Sequence, residues 1–71
     1  MNKINPKKLL NSKWTAASPT NGEKHFMVTE IEFDEEDIVV ACVIEAVTTK
    51  RSMPIDWQDL KEESQWLHGW K

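Results

Sequence analysis

Tryptophan content constrains this chain more than any other feature. Its 71 residues include four tryptophans and no tyrosine. A buried indole removes on the order of 200 Å² from water, so these side chains either build a small core or line a binding surface. Trp66 and Trp70 lie in the C-terminal segment, where a small domain usually frays. We therefore expect this segment to dock onto the rest of the protein.

The length fits a single small domain. We expect residues 1–71 to share one core, with residues 1–4 flexible. A domain of this size buries only roughly 60% of its unfolded surface, so its margin of stability is thin. Cys42 is the single cysteine, which excludes an internal disulfide and favours a reducing, cytoplasmic location. The longest apolar run, residues 38–44, is too short for a transmembrane helix, so we expect a soluble protein without a membrane partner.

Charge is distributed unevenly along the chain. The net charge is −3. Residues 1–24 carry five lysines and one glutamate, whereas residues 25–71 carry four basic and eleven acidic side chains. The acidic part argues against a general nucleic-acid binder, but the basic N-terminal region leaves a local contact with an anionic partner open.

The N-terminal third predicts a helical turn, a short strand and a loop. Asn5-Pro6 is typical of an N-cap followed by proline at the first helical position, so we expect one turn over residues 6–10. Residues 13–16 predict a short strand with its tryptophan directed inward. Residues 18–22 have the composition of a loop.

The first long strand is expected at residues 25–33. Ile31 and Phe33 place apolar side chains on one face, whereas Phe26 and Val28 place them on the other. A buried face that changes along a strand indicates a bend, as where a sheet curls toward a barrel.

The second long strand is expected at residues 38–47, after a turn at residues 34–37. Its apolar side chains occupy both faces, interrupted only by Glu45, which is typical of a central strand covered on both sides. The C-terminal tryptophan segment is the candidate for the second cover.

The remaining chain predicts an edge strand and a helix. Residues 50–55 alternate in polarity and include a proline, which favours an edge position. Asp56 is suited to cap a helix that begins at Trp57. Two ends remain open for this helix: near Ser64, or at His68 with the next glycine as its cap.

These elements predict a mainly β, small α+β architecture. We expect an antiparallel sheet of three to four strands, a short N-terminal helical turn, and a C-terminal helix packed across the sheet. A five-stranded SH3-like barrel is the alternative.

Several segments resemble a family of small bacterial tryptophan-rich proteins catalogued as a conserved domain of unknown function. The match covers nearly the whole chain from Asn5 onward. The resemblance implies a bacterial, intracellular, single-domain protein and supplies no activity, substrate or catalytic residue. The segments that carry it are Ser12-Lys13-Trp14-Thr15-Ala16, Glu23-Lys24-His25-Phe26, Glu45-Ala46-Val47, Ile55-Asp56-Trp57 with Leu60-Lys61, and Trp66 with Gly69-Trp70.

Catalytic and metal chemistry find little support in the sequence. Cys42 has apolar neighbours and no local charge, which is typical of a small buried hydrophobe rather than a nucleophile. His25 and His68 lie at no metal-ligand spacing. The acidic run at residues 34–37 lacks the glycine and spacing of a calcium loop, and Asp56 is explained by helix capping. We therefore expect no enzyme activity, no cofactor and no bound metal.

Two binding functions remain. The first is a noncatalytic protein- or peptide-binding module, because exposed indoles are common at recognition surfaces. Whether Trp66 and Trp70 are core or surface is open. The expected anchors are Trp66 and Trp70 with the rim charges Arg51, Lys61 and Lys71.

The alternative is binding of single-stranded RNA or DNA. Such ligands are held by stacking on an exposed aromatic ring and by a basic groove. The candidate residues are Lys7, Lys8, Lys13 and Lys24 with Trp14 or Phe26. Homodimerisation through the strand at residues 50–55 or through the tryptophan tail is a further possibility.

Overall fold

One antiparallel sheet organises the protein. The computed structural model describes residues 2–71 and confirms the mainly β class, with five strands in place of the expected three to four. Two 3-10 helices, η1 and η2, complete the described fold, and neither the predicted C-terminal helix nor the SH3-like barrel is confirmed. The strands lie in the order β4-β3-β2-β1-β5. The elements are η1 Pro6–Lys8, β1 Lys13–Thr20, β2 Glu23–Phe33, β3 Val39–Ala46, β4 Ser52–Pro54, η2 Trp57–Lys61 and β5 Trp66–His68.

The first hairpin replaces the loop predicted at residues 18–22. β1 continues to Thr20, which pairs with Glu23. Asn21 and Gly22 between them have φ of 54° and 70°, the positive values that a type I′ two-residue turn requires. The prediction of a loop was wrong because it used composition alone, whereas Asn-Gly is a specific hairpin signal.

The bend predicted in the first long strand is present as a shift of register in β2. Val28 pairs with Ile44 and Glu30 with Val43, so Thr29 is an extra residue on β2. The insertion returns Ile31 to the same side as Val28, where it packs against the core. A β-bulge of this kind lets a strand change its inward-facing residues and increases its local twist.

The acidic turn between β2 and β3 is held by its first residue. Asp34 Oδ1 accepts hydrogen bonds from the amides of Glu36 and Ile38, at 2.8 and 3.0 Å. Asp37 has φ of 62°, a left-handed conformation that aspartate tolerates better than most residues. The turn predicted at residues 34–37 is confirmed.

The two faces of β3 differ. Cys42, Ile44 and Ala46 are buried, whereas on the other face Ala41 is exposed and Val43 is half-buried. The prediction that the C-terminal tryptophans cover this second face of β3 was wrong. Trp66 packs against the buried cluster instead, and the ring contacts of Trp70 are with Lys13 of β1 and His25 of β2.

A single apolar cluster forms the core on one face of the sheet. Trp14, Val28, Ile44 and Leu60 are each no more than 1% exposed. Trp14 also donates its indole N–H to Ser12 Oγ, at 2.8 Å, so burial leaves no unsatisfied polar group on its ring.

From Asp56 onward, a short 3-10 helix and a strand replace the predicted helix. Asp56 is an N-cap as predicted, since its Oδ1 accepts from the Gln58 amide at 3.0 Å. The helix it caps is the five-residue η2. In a 3-10 helix, residues three apart share a face, which lets Trp57 and Leu60 both reach the core.

The C-terminal tail then docks as a strand. Within β5, Trp66 pairs with Ala16 and His68 with Trp14. The backbone N–H and C=O groups of this segment form their hydrogen bonds with β1, so they are not available for the predicted helix. The docking expected of this tail is present.

The N-terminal segment is fastened beside the same region. Asn2 Nδ2 donates to the carbonyls of Leu60 and Trp66, both at 2.8 Å. The Asn2 amide also donates to the Lys61 carbonyl, at 3.0 Å. Residues 1–4 were predicted to be flexible; Met1 lies outside the described residues, and flexibility of this segment stays a prediction.

Candidate binding site at the tryptophan groove

A groove opens between the two edges of the sheet. Met53 belongs to β4 and Trp66 to β5, which lie at opposite ends of the strand order, yet both line this groove. The sheet therefore curls until its edges face each other. The groove encloses about 340 Å³, and its lining residues are Ala16, Ser18, Thr20, Glu23, Phe26, Arg51, Met53, Ser64, Gln65 and Trp66.

An aromatic pair forms the apolar wall of the groove. The rings of Phe26 and Trp66 meet edge to face, with centroids 5.2 Å apart and planes at 85°. This geometry is favourable for the quadrupoles of the two rings. Phe26 is buried, whereas Trp66 is only partly buried, so the indole presents part of its surface to the groove.

A buried carboxylate forms the polar end. Glu23 is 3% exposed and is bound on both oxygens. Arg51 donates Nε to Oε2 at 3.1 Å and Nη2 to Oε1, and Thr49 Oγ1 donates to Oε2 at 2.6 Å. These hydrogen bonds, from Arg51 first and then Thr49, lower the pKa of Glu23 below its ordinary value.

The same contact orients the arginine. Its bidentate pairing with Glu23 fixes the plane of the guanidinium, and that pairing raises the pKa of Arg51. The Arg51 side chain is nevertheless 55% exposed. The fold thus holds a cationic donor at the rim of the groove in one orientation.

The five residues predicted as protein-binding anchors occupy three places. Trp66 and Arg51 share the groove. Lys61 lies over the ring of Trp57, with Nζ 4.6 Å from the ring centroid. Trp70 and Lys71 lie elsewhere, on the other face of the sheet.

Trp70 is assigned to that face by its neighbours. Its ring contacts Lys13 and His25. Lys13 is adjacent to Trp14 in β1, and successive side chains of a strand point to opposite faces. Because Trp14 is in the core, Lys13 and the indole above it lie on the face away from the core.

The residues predicted to bind nucleic acid do not form one surface. Trp14 is 1% and Phe26 6% exposed, so the prediction that either ring is exposed for stacking was wrong. Both rings lie in the core, where Trp14 and Phe26 are direct partners across β1 and β2. Lys7 lies 3.9 Å from Asp37, and Lys13 lies beside Trp70. Lys8 and Lys24 are exposed.

Several groove residues escaped the sequence reasoning. Glu23 and Thr49 had no local signal, because their pairing with Arg51 depends on the turn that follows β3. Gln65 and Ser64 were expected within or beside a helix. The Asn-Gly turn directly before Glu23 could have identified that carboxylate as the first residue of a paired strand.

The cysteine has no feature of a nucleophile. Cys42 is buried, and burial, followed by the charge of Asp56, raises the pKa of its thiol. A raised pKa disfavours the reactive thiolate. It borders a second cleft of about 530 Å³ between β3 and the start of η2. Within residues 2–71, no group of three or more His, Cys, Asp or Glu side chains is placed to hold a metal ion.

The fold and groove together define a class: a small, curled, antiparallel β domain with an aromatic groove between its sheet edges. In the described part of the chain, no helix has the length and apolar character needed to cross a bilayer.

The family follows from the sequence match. Residues 12–71 match the model of the tryptophan-rich protein family DUF2389, a domain of unknown function, and the chain belongs to that family. No curated protein and no solved structure matches the chain.

Proposed function

We propose that this protein is a noncatalytic module that binds an extended segment of another protein in the groove between its sheet edges. The observation that carries the proposal is the shared position of Trp66 and Arg51, a partly exposed indole and an oriented guanidinium, on one concave surface. Aromatic and arginine side chains dominate the energetics of protein recognition sites.

The dimensions of the groove support a peptide ligand. Its volume of about 340 Å³ is at the lower end for ligand pockets, which suits one or two side chains of a bound segment. Phe26, Met53 and Trp66 supply apolar contact. An extended backbone across the mouth would meet Ser18 and Gln65, whose side chains provide hydrogen-bonding groups at the rim.

Arg51 supplies the polar specificity. Two of its three guanidinium nitrogens donate to Glu23, and Nη1 has no partner within residues 2–71. Since the pairing with Glu23 already restricts the side chain, less rotamer entropy is lost when Nη1 donates to a ligand carbonyl.

Peptide selection against the intact protein tests the proposal. A displayed library of random dodecapeptides is panned on the full chain, and enriched peptides are titrated into ¹⁵N-labelled protein. We expect the indole signal of Trp66 and the amides of Gln65 and Arg51 to shift. Trp66→Ala should weaken binding at least about tenfold, as expected for a central aromatic anchor.

Leu10→Ala provides the matched control, because Leu10 is a large apolar residue that is 49% exposed and does not line the groove. It should leave affinity unchanged. Enriched peptides that shift signals only outside the groove, or that bind Trp66→Ala as tightly as the unchanged protein, would rule the proposal out.

The proposal also covers the detailed fold, the cellular location and the assembly of the protein. Five antiparallel strands in a sheet curled edge toward edge support an SH3-like barrel as the detailed fold. An unpaired Cys42 supports a cytoplasmic location, since reducing compartments keep thiols free, and the resemblance to a bacterial family supports a bacterial source. The edge strand β4 is only three residues long and leaves part of β3 uncovered. This exposed sheet edge supports homodimerisation in addition to peptide binding.

A further inference from the structure

A second surface lies on the face of the sheet away from the core. Trp70 is 45% exposed there, and its indole N–H donates to the Phe26 carbonyl at 3.0 Å. That hydrogen bond ties the ring to β2, the central strand of the sheet. The indole is thus both accessible and held in one orientation.

The segment that carries this indole is fastened as well. Thr15 Oγ1 donates to the Gly69 carbonyl at 2.6 Å and accepts from the Lys71 amide at 2.9 Å. These bonds close the tail over Thr15, which is 1% exposed. A fixed aromatic platform loses little conformational entropy when a ligand stacks on it.

Two lysines and a histidine ring lie around the platform. Lys13 Nζ lies 5.0 Å from the centroid of the Trp70 ring, within range of a cation–π contact. The His25 ring lies 5.9 Å from the same indole, and His25 Nε2 is 3.0 Å from the Lys71 carbonyl. Lys71 follows Trp70 directly and is exposed.

We propose that Trp70, Lys13 and Lys71 form a binding surface for single-stranded nucleic acid. One base stacks on the indole, and the flanking phosphates contact the two ammonium groups. Stacking on an aromatic ring together with backbone contacts to basic side chains is how proteins hold single strands without reading sequence. This surface is separate from the peptide groove, because it lies on the other side of the sheet.

Charge complementarity favours this ligand over an apolar peptide. Eight of the twelve acidic residues lie in the turn at residues 34–37 and around η2, and Glu30 and Glu32 lie farther along β2, beyond the bulge. Lys13 pairs with Met27 of β2, which pairs in turn with Glu45 of β3. Glu45 is therefore two strands from Lys13, or about 10 Å at normal strand spacing. A polyanion can therefore reach this face without passing over the acidic turn.

The chain provides its own control for this surface. Trp57 and Lys61 form a second cation–π pair, at 4.6 Å. Asp56 and Glu62 flank that pair in sequence, and Asp59 lies between its two members. The acidic residues around Trp57 and Lys61 should repel phosphate. Both surfaces nevertheless present the same two groups, an indole and a lysine ammonium.

Fluorescence anisotropy with a labelled, mixed-sequence 12-nucleotide RNA tests the proposal. We expect the full chain to bind at low salt and to lose affinity steeply as salt rises. Lys13→Gln should weaken binding and lower the salt slope by about 0.7, one phosphate contact to a single strand. Trp70→Leu should weaken it about 5- to 150-fold, the loss of one stacked base.

Several results would overturn the assignment. Lys61→Gln should leave affinity and salt slope unchanged, and an equal effect of Lys61→Gln and Lys13→Gln would show nonspecific attraction. Polyglutamate of matched charge should not displace the RNA; equal competition would assign the surface to acidic proteins instead. No binding at about 20 mM salt, where screening is weak, would remove the proposal and leave the groove unaffected. Thermal melting of each variant confirms that it is folded.

Discussion

Glu23 shows how one side chain can serve both the fold and the site. It begins β2 directly after the hairpin turn, it is buried, and each of its oxygens accepts a hydrogen bond. The pairing with Glu23 orients the Arg51 guanidinium at the rim of the groove. In return, Arg51 and Thr49 donate the hydrogen bonds that the buried carboxylate needs. A buried carboxylate without these partners would be destabilising.

Stability should depend on pH through this residue. The folded protein holds the pKa of Glu23 below its ordinary value of 4.5. A lowered pKa stabilises the folded state above the unfolded-state pKa, and this contribution is lost as pH falls through the folded-state value. Glu23→Gln should therefore lower the urea midpoint at pH 7, and its difference from the unchanged protein should shrink as pH falls below 4.5 and through the folded-state pKa of Glu23.

Glu32→Gln is the control for that experiment, because Glu32 is an exposed carboxylate of the same strand. We expect a change within about 0.5 kcal/mol at pH 7. A Glu23→Gln difference that stays the same from pH 7 throughout the acid titration of the folded protein would show that the effect comes from packing and not from ionisation.

At the scale of elements, the first hairpin depends on two residues with positive φ. Gly22 has φ of 70°, and a Cβ at this position would meet no atom within 4 Å. The cost of Gly22→Ala is therefore conformational, and we expect a loss of about 1 kcal/mol in the free energy of unfolding. Denaturation in urea measures it.

Ser18→Ala, an exposed substitution within β1, should change stability by less than about 0.5 kcal/mol. If Gly22→Ala proves as mild as Ser18→Ala, the turn between β1 and β2 does not have the conformation described here.

The sequence predicted elements where the local pattern agreed with the tertiary environment. The caps at Asn5 and Asp56 are present because capping needs only the next two or three residues. The bend in β2 was visible because apolar residues changed face along one strand.

Other elements were beyond sequence reasoning for physical reasons. β5 is three residues long, and its partner strand is about 50 residues away in sequence, so no local period distinguishes it from a helical turn. Trp66–His68 lies in a segment whose spacing also fits a helix, and pairing with β1 decides between the two. Of the site, Trp66 and Arg51 were predicted, whereas Glu23 depends on a contact that only the folded chain creates.

For the whole molecule, Asn2 connects the beginning of the described chain to its last elements. Its side chain donates hydrogen bonds to the carbonyl of Leu60 in η2 and to the carbonyl of Trp66 in β5. Asn2→Ala should lower the free energy of unfolding by about 1–2 kcal/mol, because two partly buried hydrogen bonds are lost. Amide exchange should accelerate at residues 66–68 more than in β2 and β3.

Lys3→Ala, a neighbouring exposed substitution, should leave both the stability and the exchange rates of β5 unchanged. An Asn2→Ala variant with normal exchange in β5 would indicate that β1 alone holds the last strand.

The pairing of β1 with β5 also governs when this protein can fold. Until Trp66–His68 has been synthesised and released from the ribosome, β1 lacks its outer neighbour and Trp14 lacks the ring of His68, 4.7 Å away in the finished protein. Contacts so distant in sequence slow folding, because the intervening chain must be ordered before they form. The nascent chain therefore keeps Trp14 incompletely covered until β5 has left the ribosome, and the sheet is expected to complete its folding only after that point.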